Sequence, residues 1–216
     1  MAYALAYAAL LGLLRDSPEA IATYSQALAD IVSRYDLPAL WVGLAIFFQG
    51  WVKCCEGAEE SSLADMLRGI AIAREQGNIF LLCSPEAVLA EAEAAAGETD
   101  VGLRRLGDAL AELERTEQRW YEAELYRIRG EILLKRDPAN TAAAEQSLQA
   151  AIAIAQSQKA QSFELRAALA LAKSYRKANR DADAHAVLAP AVEGFPPTAQ
   201  FPELLEAQTL LATLSR

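Results

Sequence analysis

Five small residues, Ala8, Gly50, Ala90, Gly130 and Ala172, recur at separations of 42, 40, 40 and 42 residues, each inside a helix-forming run. Downstream of each lies a second helical run. Gly102, Leu106 and Ala109 follow Ala90, and Ala184, Leu188 and Ala191 follow Ala172 at the same offsets, with Tyr175 as an aromatic between. Ala144, Leu148 and Ala151 follow Gly130 after a connection about two residues longer. Ala20, Tyr24 and Ala27 follow Ala8, and Leu63, Leu67 and Ile70 follow Gly50 less cleanly. A glycine inside a helix is disfavoured by roughly 1 kcal/mol relative to alanine. Its presence at 50 and 130 therefore predicts that a second helix approaches closely there. Small residues at a crossing, with larger ones filling the gaps, let ridges and grooves interlock. Each helix pair then leaves an apolar face that the next pair covers.

The chain between these positions reads as helix throughout. Runs are expected over 3–16, 19–35, 39–55, 61–76, 79–96, 100–117, 119–134, 141–157, 162–178, 181–194 and 202–214. Breaks fall at Ser17-Pro18, Leu37-Pro38, Glu56-Gly57, Gly77-Asn78, Gly97, Asp137-Pro138 and Phe195-Pro196-Pro197. Serine suits a helix cap and proline the first helical position. Ser84-Pro85 should kink the 79–96 run or start it afresh. Alanine and leucine dominate, β-branched residues are sparse, and no convincing period-two alternation appears, so the fold class is all-α.

The small-large-small spacing matches the tetratricopeptide pattern, with a step longer than the usual ~34 residues. The expectation is a single repeat domain over 1–216. It would be a tetratricopeptide-like α-solenoid of about five helix-turn-helix repeats (1–36, 37–77, 78–117, 118–158 and 159–195) with a capping helix at 200–215. Three stretches, Arg119 to Leu134, Lys159 to Ala168 and Leu188-Ala189-Pro190, resemble the C-terminal tetratricopeptide region of large bacterial signalling ATPases. Those proteins carry an N-terminal adenylate/guanylate cyclase or DNA-binding domain, then an ATPase domain, then such repeats. The resemblance is strongest over 119–216. It implies the repeat end of a larger protein or a stand-alone relative, and a regulatory part in signal transduction. No Walker motif is present, so neither ATPase nor cyclase activity carries over.

Catalytic chemistry finds little support in the residues. The chain has one histidine, His185, where a di-iron bundle would need two Glu-x-x-His motifs; an ordinary helix position suits it better. Gly194-Phe195-Pro196 and Gly97-Glu98-Thr99 lack the spacing of a phosphate loop. Glu91, Glu93, Glu122 and Glu124 read as a solvated face. Cys54, Cys55 and Cys83 form no CxxC pattern, and the vicinal pair reads as structural burial rather than as a reactive thiol. No catalytic, metal or cofactor residue is assigned. A net charge of −9 opposes general nucleic-acid binding. The cysteine usage suggests a reducing, cytoplasmic setting. The apolar run at 2–14 lacks a basic n-region and is too short to span a bilayer, so no membrane partner is expected.

What remains is a surface for binding. In tetratricopeptide arrays the first helix of each pair lines the concave face. Counting from the small residues, Phe47 and Trp51, with Leu44 and Cys54, would give that face an apolar end. Arg127, Lys135, Arg166, Lys173 and Arg176 would give it a basic one. This points to a protein or peptide with an acidic segment. The rival arrangement puts the aromatics in the core and pairs the basic residues with glutamates. A small-molecule sensor, with Trp51 and Trp120 lining a pocket, is the alternative function. Helix 3–14 is apolar on nearly every face and should be buried on more than one side. An upstream domain or a second copy of the chain would cover it.

Overall fold

A computed structural model describes residues 1–15, 17–57, 59–75, 81–196 and 198–214, with Glu59 and Glu60 described in the backbone alone. Eleven α-helices are described: α1 (Ala2–Leu14), α2 (Pro18–Arg34), α3 (Ala39–Cys55), α4 (Glu59–Arg74), α5 (Cys83–Ala95), α6 (Thr99–Thr116), α7 (Glu122–Arg136), α8 (Ala142–Gln158), α9 (Gln161–Lys177), α10 (Asp181–Glu193) and α11 (Pro202–Leu214). No strand forms among the described residues. Pro18 opens α2 with Ser17 at the cap position, although the serine hydroxyl makes no capping bond. The Ser84-Pro85 break resolves as a fresh start, since α5 begins at Cys83 with both residues in its first turn. The expected stop at Gly77-Asn78 and start at Ile79 lie outside the described residues.

The stretch from Arg119, expected as one continuous helix, is not one. Arg119–Tyr121 forms a 3-10 turn before α7 begins at Glu122. Tyr121 is buried, with its ring edge-on to Phe163 at 5.8 Å and 5.0 Å from Trp120. That aromatic packing accompanies the tight first turn.

Left-handed residues end several helices, where the last carbonyls need donors that a straight chain cannot supply. Gly57 (φ 88), Gly97 (φ 98) and Asn179 (φ 58) each stand seven residues after a small residue of the recurring series. Lys159 (φ 56) and Glu117 (φ 57) close α8 and α6 in the same conformation.

The chain divides into two compact units, Met1–Arg105 and Leu106–Arg216, the division falling within α6. In the first, α1 packs on α2, α2 on α3, α3 on α4 and α4 on α5, and α1 also meets α3. The α3–α4 crossing is close. A β-carbon on Gly69 would lie 2.6 Å from the backbone nitrogen of Phe47, and one on Gly50 would lie 3.0 Å from Met66. In the second unit, α9 packs on its chain neighbours α8 and α10 and also on α7 and α11. Leu148, Leu165, Ala168, Leu171, Ala172, Ala184, Leu188 and Ala207 make its core. Gly130 sits where α7 meets α8, and a β-carbon there would stand 2.6 Å from Leu148 Cγ.

The small-residue series is buried at Ala90, Gly102, Leu106 and Ala109, at Gly130, Ala144, Leu148 and Ala151, and at Ala172, Ala184, Leu188 and Ala191. Two segments depart from the expected register. After Gly50 Ile70 is buried as expected, but Ser62, Met66 and Gly69 are buried in place of Leu63 and Leu67, and Leu67 is 44% exposed. At the N-terminus the crossing uses Ala9, Ile21, Ser25 and Leu28, one residue beyond Ala8, Ala20, Tyr24 and Ala27, and Tyr24 is exposed. Nor is α1 buried on several sides. Ala6, Ala9, Leu10 and Gly12 are buried, while Tyr3 and Leu11 stand 60% and 56% exposed. Because every position of α1 is apolar, its burial is set by which side α2 and α3 occupy rather than by its own pattern.

Candidate functional site

The basic residues fall into two classes, distinguished by what already neutralises them. Arg127 and Arg166 are internal. Glu124, fully buried near the start of α7, accepts from Arg127 Nε at 3.0 Å and from Arg166 Nη1 at 3.2 Å. Arg166 also donates to Glu203 Oε1 from Nε at 2.8 Å and from Nη2 at 2.5 Å, tying α9 to α11. Arg127 Nη1 reaches Glu131 at 2.6 Å. Burial by itself would make the Arg166 guanidinium easier to deprotonate, but Glu124 and Glu203 outweigh it and hold the group above its ordinary value. Arg166 thus cross-links α9 to α7 and α11, while Arg127 braces Glu124 and Glu131 along α7 itself, and the donors of both are engaged within the unit.

The first compact unit has a cluster of the same kind. Glu86 and Glu93 on α5 are buried. Arg105 donates to Glu93 through Nε at 2.9 Å and Nη2 at 2.6 Å, and to Glu86 through Nη1 at 2.7 Å. Arg74 completes Glu86 with contacts of 2.9 and 2.5 Å. Bidentate arginine-carboxylate pairs of this geometry fix register between helices.

The second class stays in water. Lys135, Lys173, Arg176 and Lys177 are exposed, at the C-terminal ends of α7 and α9. Two open depressions lie there. One, of about 510 Å³, is lined by Glu131, Leu134, Lys135, Pro138, Ala170, Lys173, Ser174 and Lys177. The other, of about 490 Å³, is lined by Lys173, Arg176, Lys177, Glu206, Thr209, Leu210 and Thr213. Lys173 and Lys177 border both. Lys173 Nζ stands 2.6 Å from Glu206 Oε1, with both side chains about half exposed (45% and 52%). No carboxylate of the described residues makes an ion pair with Lys135, Arg176 or Lys177. Cations in the last turn of a helix also favour the carbonyl end of its dipole, which helps keep these side chains where they are.

Of the seven residues expected on the binding face, Lys135, Lys173 and Arg176 therefore gather at the depressions. Phe47 does not reach a surface: it is fully buried beside Phe48, its ring edge-on at 5.6 Å, where α4 crosses α3. Leu44 is buried as well, and Trp51 is half-buried on α3. Trp120 is half-buried against Tyr121. The sequence reading passed over Lys177 and Glu206. Lys177 was open to detection, because it stands 42 residues after Lys135, the same step that separates Gly130 from Ala172.

His185 is exposed on α10. Cys54 is half-buried, Cys55 exposed and Cys83 buried. Among the described residues no group of three or more potential metal ligands converges, and no helix is long and apolar enough to cross a membrane. No protein-family model matches the chain, and no curated protein is similar to it.

Proposed function

We propose that the chain is a tetratricopeptide-like α-solenoid that binds a protein or peptide and has no catalysis of its own. It would serve as the regulatory repeat region of a bacterial signalling protein acting in the cytoplasm. The observation that carries this reading is the packing of α9, which meets the helices before and after it in the chain and also α7 and α11. Successive first helices stacked on one another are what a solenoid requires, and they present a continuous rigid face. The buried series from Ala90, Gly130 and Ala172 supports the same repeat. The signalling context rests on the resemblance over 119–216. Tyr3 and Leu11, exposed on α1, suit a contact with an upstream domain or with a second copy.

A second reading, a small-molecule effector domain, draws on the two depressions, whose volumes of about 490 and 510 Å³ fall in the range of ligand pockets. Calorimetry separates the two. The scaffold reading expects saturable heats with short peptides of some charge class and none with a panel of metabolites. Saturable binding of a metabolite, with no peptide bound, would reverse the assignment.

A further inference from the structure

We propose that the paired depressions on α7, α9 and α11 form a docking site for an internal acidic segment of a partner protein, and that Glu206 already occupies part of it as a stand-in for one of that segment's carboxylates. The proposal deepens the scaffold reading and rests on it.

Three observations support it. First, the basic residues divide by accessibility. Arg127 and Arg166 are 13% and 15% exposed and hold buried Glu124, so an incoming anion would have to break a buried network to reach them. Lys173 and Lys177 sit on the ridge between the two depressions and border both. Second, the Lys173 ammonium holds a carboxylate, that of Glu206, at 2.6 Å across the second depression. A pair this exposed is weak and is readily exchanged for another carboxylate. Third, the floor beside the lysines is apolar: Leu134, Pro138 and Ala170 in one lobe and Leu210 in the other. An extended segment crossing the C-terminal end of α9 would set carboxylates on the ridge and an apolar side chain in a lobe. The net charge of −9 opposes a long polyanion such as nucleic acid more than a short segment, and the apolar side chains beside the lysines suit a peptide that mixes carboxylates with apolar residues.

The test uses fluorescence anisotropy on the full chain. Its probe is a fluorescein-labelled peptide of alternating glutamate and leucine, blocked at its free end so that no terminal carboxylate contributes. The glutamate peptide should bind and weaken with added salt. K173A/K177A should weaken it by about tenfold or more, as the loss of charge-assisted contacts predicts. E206Q should tighten it by up to roughly fivefold by removing the internal competitor. R104A/R129A, removing two exposed cations away from the depressions, should leave it unchanged. Thermal melts and circular dichroism confirm that each variant is folded.

Equal binding by K173A/K177A and R104A/R129A would overturn the site, as would an E206Q affinity that is unchanged or weaker. Displacement of the peptide by tripolyphosphate or by a single-stranded oligonucleotide at matched charge would assign the lysines to general anion binding instead. If a glutamine-leucine or lysine-leucine peptide binds and the glutamate peptide does not, this site falls while the scaffold reading stands. Binding of no peptide, with a metabolite bound, removes both.

Discussion

In the first compact unit Arg74 and Arg105 converge on buried Glu86, and in the second Arg127 and Arg166 converge on buried Glu124. The two clusters look alike in composition, but their arginines differ in reach to water. Arg74 is 47% exposed and Arg105 keeps a bidentate partner in Glu93. Both arginines on Glu124 are largely buried, at 13% and 15% exposure. The units also differ in charge. Seven basic residues face fourteen acidic ones in 1–105, and thirteen face fifteen in 106–216. The second unit is thus nearer to balance, and its exposed Lys135, Arg176 and Lys177 collect at the ends of α7 and α9. A sign count along the chain cannot separate those two populations; burial does.

The largest expected effect tests the clusters. Glu124→Ala removes the carboxylate shared by two largely buried guanidinium groups. Arg127 keeps Glu131 and Arg166 keeps Glu203, but neither can turn freely to solvent, and the cost should reach the lower end of the about 3–5 kcal/mol typical of breaking a buried pair. Glu86→Ala should cost less, about 1–3 kcal/mol, because Arg74 is 47% exposed and can turn to solvent. Urea midpoints of the two variants check this. Equal losses would mean that the exposure of the arginines does not distinguish the clusters.

The helix crossings come next. An added methyl at Gly69 would press on backbone atoms of α3, including Gly43 O at 2.6 Å and Phe47 N at 2.6 Å, which cannot step aside. At Gly130 it would meet the branch of buried Leu148, with Cγ at 2.6 Å and Cδ2 at 3.0 Å, and Ala144 O at 3.2 Å, so the closest contacts there fall on a side chain rather than on backbone. Gly69→Ala should therefore cost in the range of about 1–3 kcal/mol expected for overpacking. Gly130→Ala should cost less than Gly69→Ala, since Leu148 must repack but no backbone stands under 3.0 Å, and helix propensity improves by roughly 1 kcal/mol. Gly130→Leu restores the penalty. The measurement is again the denaturation midpoint, and a neutral Gly130→Leu would remove that crossing from the α7–α8 interface.

These crossings show how far the sequence could be read. From Ala90 onward the small residues alternate with leucine and charge, so one phase alone buries them, and the series from Ala90, Gly130 and Ala172 was visible. After Gly50 the same offsets lead to Ser62, Met66 and Gly69, but Leu63 and Leu67 are larger and more apolar and drew the register one residue away. In α1 every phase is apolar, so no register was encoded locally, and contacts with α2 chose Ala9. The binding face was legible in sign and not in availability. Arg166 and Glu124 stand 42 residues apart, and their pairing depends on α7 and α9 lying side by side. Phe47 looked like a groove residue by its distance from Gly50, whereas the close approach of α4 at Gly69 encloses it.

The helix ends extend the comparison at smaller magnitude. The left-handed positions of the first unit are Gly57 and Gly97, and those of the second are Glu117, Lys159 and Asn179. A residue with a β-carbon is strained there by roughly 1–2 kcal/mol, and glycine returns part of that gain as unfolded-chain entropy. Lys159→Gly should consequently stabilise the chain by up to about 1 kcal/mol, while Gly57→Ala destabilises it by a similar amount. Differential scanning calorimetry reads both, and a loss for Lys159→Gly would show that its side chain contributes more than its backbone costs.

The smallest effect concerns two pairs that join the same helices, α9 and α11. Arg166–Glu203 is 15% and 27% exposed, and Lys173–Glu206 is 45% and 52% exposed. Double-mutant cycles to alanine should give the lysine pair a coupling near the bottom of the about 0.2–1 kcal/mol measured for exposed ion pairs. The arginine pair, forked onto one carboxylate oxygen and backed by Glu124, should exceed that range. The contrast matters because it tells which of the two contacts docks α11 on α9. If the lysine pair contributed as much as the arginine pair, Glu206 would be a structural tie, and an anion displacing it would loosen α11. If its coupling is near zero, Glu206 can leave Lys173 without disturbing the fold, which is what a surface that exchanges one carboxylate for another requires.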